Sequence, residues 1–173
     1  MTRIALADPA ATDRFAQAFA GCLGPSARAA STGQPPWLIA LEGELGAGKS
    51  HFARAMLRAL GVTGPVPSPT YSLVESYPEA APAAVHMDWY RLADPLELEM
   101  LDWDALCAAH GVVLVEWASR LPDAAVAWDV GLSFAPMAPN EGAGRTVDIT
   151  AHTRRANALL ASFDALREDI SAG

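Results

Sequence analysis

Trp37-Leu38-Ile39-Ala40-Leu41 and, one residue later, Gly43-Glu44-Leu45-Gly46-Ala47-Gly48-Lys49-Ser50 decide how the rest of the chain is read. The first run is short and almost uninterruptedly apolar, as a parallel strand buried on both faces requires. The second is a complete G-x-x-x-x-G-K-[ST] sequence. Its glycines let the backbone curl until successive N–H groups, with the positive end of a helix dipole behind them, converge on phosphate oxygens. Phe52, Met56, Leu57 and Leu60 then recur at helical spacing, and Gly61 stands where a left-handed residue ends a helix. A match at these four positions arises by accident in about one chain in a hundred of this length, and the order strand, loop, helix makes accident rarer. Lys49 is the single lysine among 173 residues. Arginine carries positive charge elsewhere, and a compact ammonium stands where a point charge must reach the β- and γ-phosphates of a nucleotide. The loop therefore predicts binding of ATP or GTP, with the Ser50 hydroxyl as a magnesium ligand. The absence of an N-K-x-D guanine signature favours ATP.

Around this centre the chain reads as a single domain over residues 1–173. Apolar residues make up 51% and charged ones 18%, so a core forms rather than a disordered chain. No stretch reaches the ~18 uninterrupted apolar residues of a membrane helix, and Met1-Thr2-Arg3-Ile4-Ala5 has no apolar signal core, so a cytoplasmic protein is expected. Cys22 and Cys107 read as reduced core residues. The net charge of −8 leaves Arg154-Arg155 as the one basic pair. Tight direct contact with RNA or DNA needs clustered Lys and Arg, so the acidic surface points instead to a partner protein or to solubility.

Asp8-Pro9 or Thr12 caps a helix with Phe15, Phe19, Cys22 and Leu23 on one face. Gly24 to Pro36 reads as a connection. Gly64-Pro65-Val66-Pro67-Ser68-Pro69-Thr70 is too rich in proline for helix or central strand and reads as an ordered loop or switch. Tyr71 to Tyr77 alternates as a half-exposed strand, and Val85 to Tyr90 pairs with it as an antiparallel hairpin. Leu96 to Ala109 reads as one helix and Val112 to Val115 as a buried strand ending in Glu116-Trp117. Val126 to Phe134 and Arg145 to Thr150 read as edge strands around a Pro136 to Gly144 loop, and a final helix from Thr153 places Leu159, Phe163 and Leu166 on one face. The fold expected is α/β: a P-loop NTPase-like three-layer domain with a mostly parallel central sheet and antiparallel edge strands. Asp88 and Glu116 each end a strand at the ligand crevice of such a sheet, and both are candidates for the carboxylate beside a nucleotide-bound magnesium.

In fixed order the chain carries G-E-L-G-A-G-K-S at Gly43 to Ser50, Ser68-Pro69-Thr70-Tyr71 followed by Leu73-Val74-Glu75 and Tyr77, His86-Met87-Asp88-Trp89-Tyr90-Arg91-Leu92, and Val115-Glu116-Trp117. The series resembles the TsaE (formerly YjeE) family of ATPases in tRNA threonylcarbamoyladenosine biosynthesis. The resemblance implies a P-loop ATPase that partners TsaD and TsaB, the proteins that modify the adenosine beside the anticodon, and meets tRNA only through that complex. It implies that Glu44, Leu45, Gly46, Ala47, Gly48, Lys49 and Ser50 hold the phosphates, with His51 next in the nucleotide-contacting run. Ser50 and Glu116 would hold magnesium, and Asp88 its water shell or the attacking water, with Lys49, Asp88 and Glu116 as the catalytic set. Thr70 resembles a switch threonine, Trp117 packs beside the metal ligand, and Thr12 resembles a position near adenine.

The family commonly has threonine where Ser50 and His51 stand, and a glycine where Asp102 and Trp103 stand. Serine keeps the hydroxyl, and nothing in the spacing pairs His51 with an acid or base. Arg91 is the one candidate arginine finger besides a partner's, so hydrolysis is expected to be slow alone and stimulated by partners. A small-molecule P-loop kinase and a nucleotide-responsive binding module are the alternatives.

Overall fold

The computed structural model describes residues 2–23, 35–122, 125–138 and 144–171, with side chains described as far as residue 164. Most of the Gly24 to Pro36 connection, the centre of the Pro136 to Gly144 loop and the Leu166 side chain lie outside the described residues.

Strands β1 (Thr2–Leu6), β2 (Trp37–Glu42), β3 (Val74–Tyr77), β4 (Ala84–Asp88), β5 (Val112–Glu116), β6 (Val130–Pro136) and β7 (Arg145–Ala151) form one seven-stranded sheet in the order β1-β7-β6-β2-β5-β4-β3. The pairs β6/β2, β2/β5 and β5/β4 are parallel, while β1/β7, β7/β6 and β4/β3 are antiparallel. This is the α/β architecture expected, with a parallel centre and antiparallel flanks. The centre falls to β2, β5 and β4 because these strands are apolar on both faces; every residue of β4 and β5 is buried.

Helices α1 (Pro9–Cys22), α2 (Lys49–Ala59) and α5 (Arg154–Ser171) cover one face, where Phe15, Phe19, Phe52 and Phe163 meet at ring-centroid distances of 5.2 to 6.2 Å. The short helices α3 (Leu96–Met100) and α4 (Trp103–Ala109) cover the other, over Val85, Met87, Val113 and Val115. There Trp89 stands 5.5 Å from both Trp103 and Trp128. Of the two caps the sequence offers for α1, Asp8 is the one used: its Oδ1 accepts the Ala11 N–H at 2.7 Å, with Pro9 in the first turn. Cys22 and Cys107 are free and half-buried, one against each apolar cluster. Burial raises both thiols, and that of Cys107 is pushed up to about 11 with the Asp104 charge adding.

Four boundaries differ from the sequence reading. β1 forms an edge that the alternation of Ile4 and Leu6 marks only faintly. The expected strand over Tyr71 to Tyr77 begins at Val74, because Leu73 is left-handed (φ 66°) and its N–H returns to Pro69 O at 2.8 Å. The single helix over Leu96 to Ala109 is two, parted at Asp102, a left-handed residue (φ 53°) of a type that tolerates this conformation. Finally, Val126 to Phe134 is not an edge strand. It starts at Val130 and pairs in parallel with β2, and β7 and β1 separate it from the edge, so the strand expected at the edge over Arg145 to Thr150 is interior as well.

No helix among the described residues is long and apolar enough to cross a membrane.

Candidate functional site

The parallel register brings three strand ends together. Leu41 lies opposite Glu116, and Glu116 opposite Asp88, so the C-terminal ends of β2, β5 and β4 lie together at one end of the sheet. The glycine loop leaves β2 there and enters α2, whose first N–H groups have no partner within the helix. A cleft of about 690 Å³ opens over this end, within the range of small-ligand sites.

Gly43 shapes the exit from β2. It sits at φ 130°, and a Cβ there would stand 2.3 Å from the Phe134 carbonyl oxygen of β6. No side chain fits between the loop and that strand. Lys49 opens α2 and is only 4% exposed. Its ammonium donates to Gly43 O (2.5 Å) and Glu44 O (3.0 Å) and lies 3.8 Å from the Trp117 ring centroid. Burial lowers its pKa from the usual lysine range, and the carboxylates of Glu116, Glu42, Asp88 and Glu44 act in the opposite direction without restoring it.

Trp117 follows β5 in a left-handed conformation (φ 59°), its N–H bonded to Leu41 O at 3.0 Å. The 3-10 turn Ala118–Arg120 that continues from it is held by Glu42, whose carboxylate accepts from Ser119 N at 2.6 Å and Ser119 Oγ at 2.8 Å. The indole is thereby fixed over the ammonium, with the Tyr90 ring 5.1 Å away on the cleft side.

Glu116 is 2% exposed, and its two oxygens are divided. Oε2 accepts from Ser50 Oγ at 2.9 Å, and Oε1 lies 2.8 Å from His86 Nε2. Asp88, 4% exposed, accepts the Tyr90 N–H at 2.9 Å through Oδ1. Arg91 turns away and donates to Tyr71 O at 2.6 Å, so the guanidinium nearest in sequence is not the partner of Asp88 and does not line the cleft. Thr70 lines the cleft from the proline-rich loop, with Ser68 Oγ 3.0 Å from its hydroxyl. That loop is tied to the strand bearing Asp88, since Asp88 N–H donates to Leu73 O at 3.1 Å.

Lys49, Ser50, Thr70, Asp88, Glu116 and Trp117 therefore converge on one cleft. Glu44, Leu45, Gly46, Gly48 and His51 also line it, whereas Ala47 lines a smaller cavity of about 250 Å³ across the loop. His51 is 2.8 Å from Asp13 Oδ1, a contact between α2 and α1 that no sequence spacing announced. Thr12 is fully buried, with its hydroxyl 3.5 Å from Asp8 O, and lines neither cavity.

Two basic residues that the sequence reading did not place at the site stand at the cleft. Arg54 donates to Ser50 O at 3.1 Å, one turn back along α2. Arg145 opens β7 and lies over Gly48 so closely that a Cβ there would meet its Nη1 at 1.9 Å. Its guanidinium thus sits against the positive end of α2 beside Lys49, an arrangement that an anion relieves. Only the pairing of β7 with β6 brings residue 145 here, so no local signal could have pointed to it. His86 carried a weak signal, a lone ring nitrogen pair in an otherwise apolar strand two residues before Asp88.

A family model for the threonylcarbamoyl adenosine biosynthesis protein TsaE matches residues 6–146, a span that takes in every cleft residue named above. The Haemophilus influenzae tRNA threonylcarbamoyladenosine biosynthesis protein TsaE is 35% identical over 130 residues, covering 73% of this chain and 77% of that one. The Bacillus subtilis protein of the same name is 40% identical over 94 residues, 54% of this chain and 58% of that one. The crystal structure of Bacillus subtilis YdiB superposes with a TM-score of 0.69 over 95% of both chains at 24% identity, a likeness of fold. With the family model spanning most of its length and relatives from several bacteria agreeing, the chain belongs to the TsaE family of threonylcarbamoyl adenosine biosynthesis proteins.

Proposed function

We propose that the protein binds Mg-ATP in the cleft and hydrolyses it in the cytoplasm. In this reading it acts on a TsaD–TsaB complex during threonylcarbamoyl modification of the adenosine next to the tRNA anticodon. The observation that carries the nucleotide reading is the contact of Ser50 Oγ with Glu116 Oε2 at 2.9 Å, one residue from the buried Lys49 ammonium and at the N-terminus of α2. A nucleotide-bound Mg²⁺ takes only one or two protein oxygens and keeps phosphate and water oxygens for the rest. A hydroxyl and a carboxylate already in contact suit that demand.

When bound, the ion neutralises charge on the phosphate oxygens. The chain's own groups do the remaining work. Lys49 exchanges the Gly43 and Glu44 carbonyls for phosphate oxygens, and the free N–H groups of the loop and of α2 hold the others. Ser50 and Glu116 would hold the ion. Asp88, steadied through Oδ1 by Tyr90 N–H, orients water in line with the transferring phosphoryl group. Arg145 adds a second cation at the α2 terminus. The net charge of −8 supports an encounter with tRNA through partner proteins rather than by direct grip.

Calorimetry with Mg-ATP, followed by phosphate release with and without TsaD and TsaB, tests this reading. Saturable binding and partner-stimulated turnover are expected. No heat of association, or equal rates with and without partners, would refute it.

A further inference from the structure

Buried carboxylates need their geometry held, and the Glu116 carboxylate receives one contact that the nucleotide reading leaves unused. His86 is fully buried in the middle of β4, with Nε2 at 2.8 Å from Glu116 Oε1. Its other nitrogen, Nδ1, is buried with no hydrogen-bond partner among the described residues. A carboxylate only accepts, so the contact requires a ring hydrogen on Nε2. The imidazole spends its single hydrogen bond on Glu116.

The sheet explains why the two meet. His86 lies opposite Leu114 in the β4/β5 ladder, two residues before the Asp88 and Glu116 pair. Alternation along each strand then puts His86, Asp88 and Glu116 on the face that carries α2 and Ser50. The ring meets Oε1 while Ser50 meets Oε2, so the two contacts fall on different oxygens of one carboxylate.

We propose that His86 is a positioning residue for Glu116: by holding Oε1 it fixes the carboxylate plane so that Oε2 points at Ser50 Oγ, where the ion of a bound Mg-nucleotide is completed. The inference rests on the Mg-ATP reading above. Groups that hold a metal ligand from behind typically change metal affinity by about 10–100-fold when removed.

The test is a Mn²⁺ titration of the ADP-loaded full chain by electron paramagnetic resonance, on the wild type, His86→Gln and His86→Asn, with melting temperatures recorded in parallel. Glutamine carries an amide N–H to about the place of Nε2, whereas asparagine ends a bond short. His86→Asn is expected to weaken Mn²⁺ binding by about tenfold or more, with ADP affinity in EDTA unchanged, and His86→Gln is expected to restore most of the loss. Wild-type Mn²⁺ affinity in both variants would overturn the proposal. So would an equal loss in both, or failure of both to fold, because each would make His86 an ordinary core residue. If the wild type itself shows no ADP-dependent Mn²⁺ binding, the Mg-nucleotide reading falls, and this proposal with it.

Discussion

Alanine at Gly43 and alanine at Gly46 are the same chemical change in the same loop, and the structure separates their consequences. Both glycines have positive φ, 130° and 79°, so each replacement carries a backbone cost of about 1–2 kcal/mol. Around Gly46 nothing lies within 4 Å of an added Cβ, and the cost ends there. At Gly43 the Cβ would stand 2.3 Å from Phe134 O and 3.2 Å from Ala47 Cβ. The obstructing oxygen belongs to backbone held on both sides: β6 pairs with β2 through Leu41↔Leu132 and Glu42↔Ser133, and with β7 through Phe134↔Val147. Relief requires one strand end to move, and overpacking of this sort adds about 1–3 kcal/mol. A domain of this size loses about 2–4 °C in melting temperature per kcal/mol. Gly43→Ala should therefore melt roughly 10 °C below wild type and Gly46→Ala roughly 4 °C below. Scanning calorimetry measures both, and titration with Mg-ATP follows the loop. Because Gly43 O is an acceptor for Lys49, affinity in Gly43→Ala should fall along with stability. Equal melting temperatures for the two variants would show that the Phe134 contact is not what demands glycine at position 43.

Lys49→Met removes an ammonium that burial already disfavours, so the ligand-free protein should melt no lower than wild type. Its Mg-ATP affinity should drop by about thirtyfold or more, measured by calorimetry, since removing one partner of a buried opposite-charge contact costs about 2–5 kcal/mol. Trp117→Phe should remove most of any nucleotide-dependent change in tryptophan fluorescence, because Lys49 leaves the indole it now rests on at 3.8 Å; persistence of the full change would contradict this exchange. Asp129 is 3% exposed and accepts from Leu38 N, Thr153 Oγ1 and Arg155. Burial raises its pKa, but the Arg155, Leu38 and Thr153 hydrogen bonds and the Arg155 charge outweigh burial and hold it below the ordinary carboxylate value. Its folded pKa being depressed, its stabilisation is complete well above the unfolded value of ~3.9 and lost as pH falls below that value through the folded one. The stability gap between wild type and Asp129→Asn, followed by urea unfolding, should accordingly be constant near neutrality and shrink in that acid window.

Strands buried on both faces announce themselves, which is why β2 and β5 and their terminal loop and carboxylate are legible from sequence with nearly their observed bounds. Glu116 stands out because it follows four apolar residues, and Asp88 because it ends a short strand just before Trp89-Tyr90. What is not legible depends on partners distant in the chain. The interior place of β6 is decided by residues 130–133 meeting residues 39–42, and Arg145 reaches the cleft only because β7 follows β6. Left-handed residues at Leu73 and Asp102 cut a strand and a helix whose hydrophobic spacing runs on through the breaks. Leucine at such a position has no compositional signature, whereas a glycine would have revealed the turn. Arg91, a neighbour of Asp88 in sequence, is directed elsewhere because a residue just past a strand end takes its direction from the following turn.

Glu42 is the polar residue that ends the apolar run of β2, and its place shows how three consecutive residues organise the site. Leu41 O receives the Trp117 N–H, the Glu42 carboxylate holds Ser119, and Gly43 O receives the Lys49 ammonium. One strand end thus sets the turn that carries the indole and the cation that rests beneath it. Lys49 is satisfied within the chain by two carbonyls and Ser50 by Glu116. On the Mg-ATP proposal, binding in this cleft would exchange these partners rather than add new ones, so little of the affinity would come from counting hydrogen bonds. The surplus would have to come from the first N–H groups of α2, which a helix leaves without internal partners, and from the opposite charge of the ligand meeting Lys49 and Arg145 together.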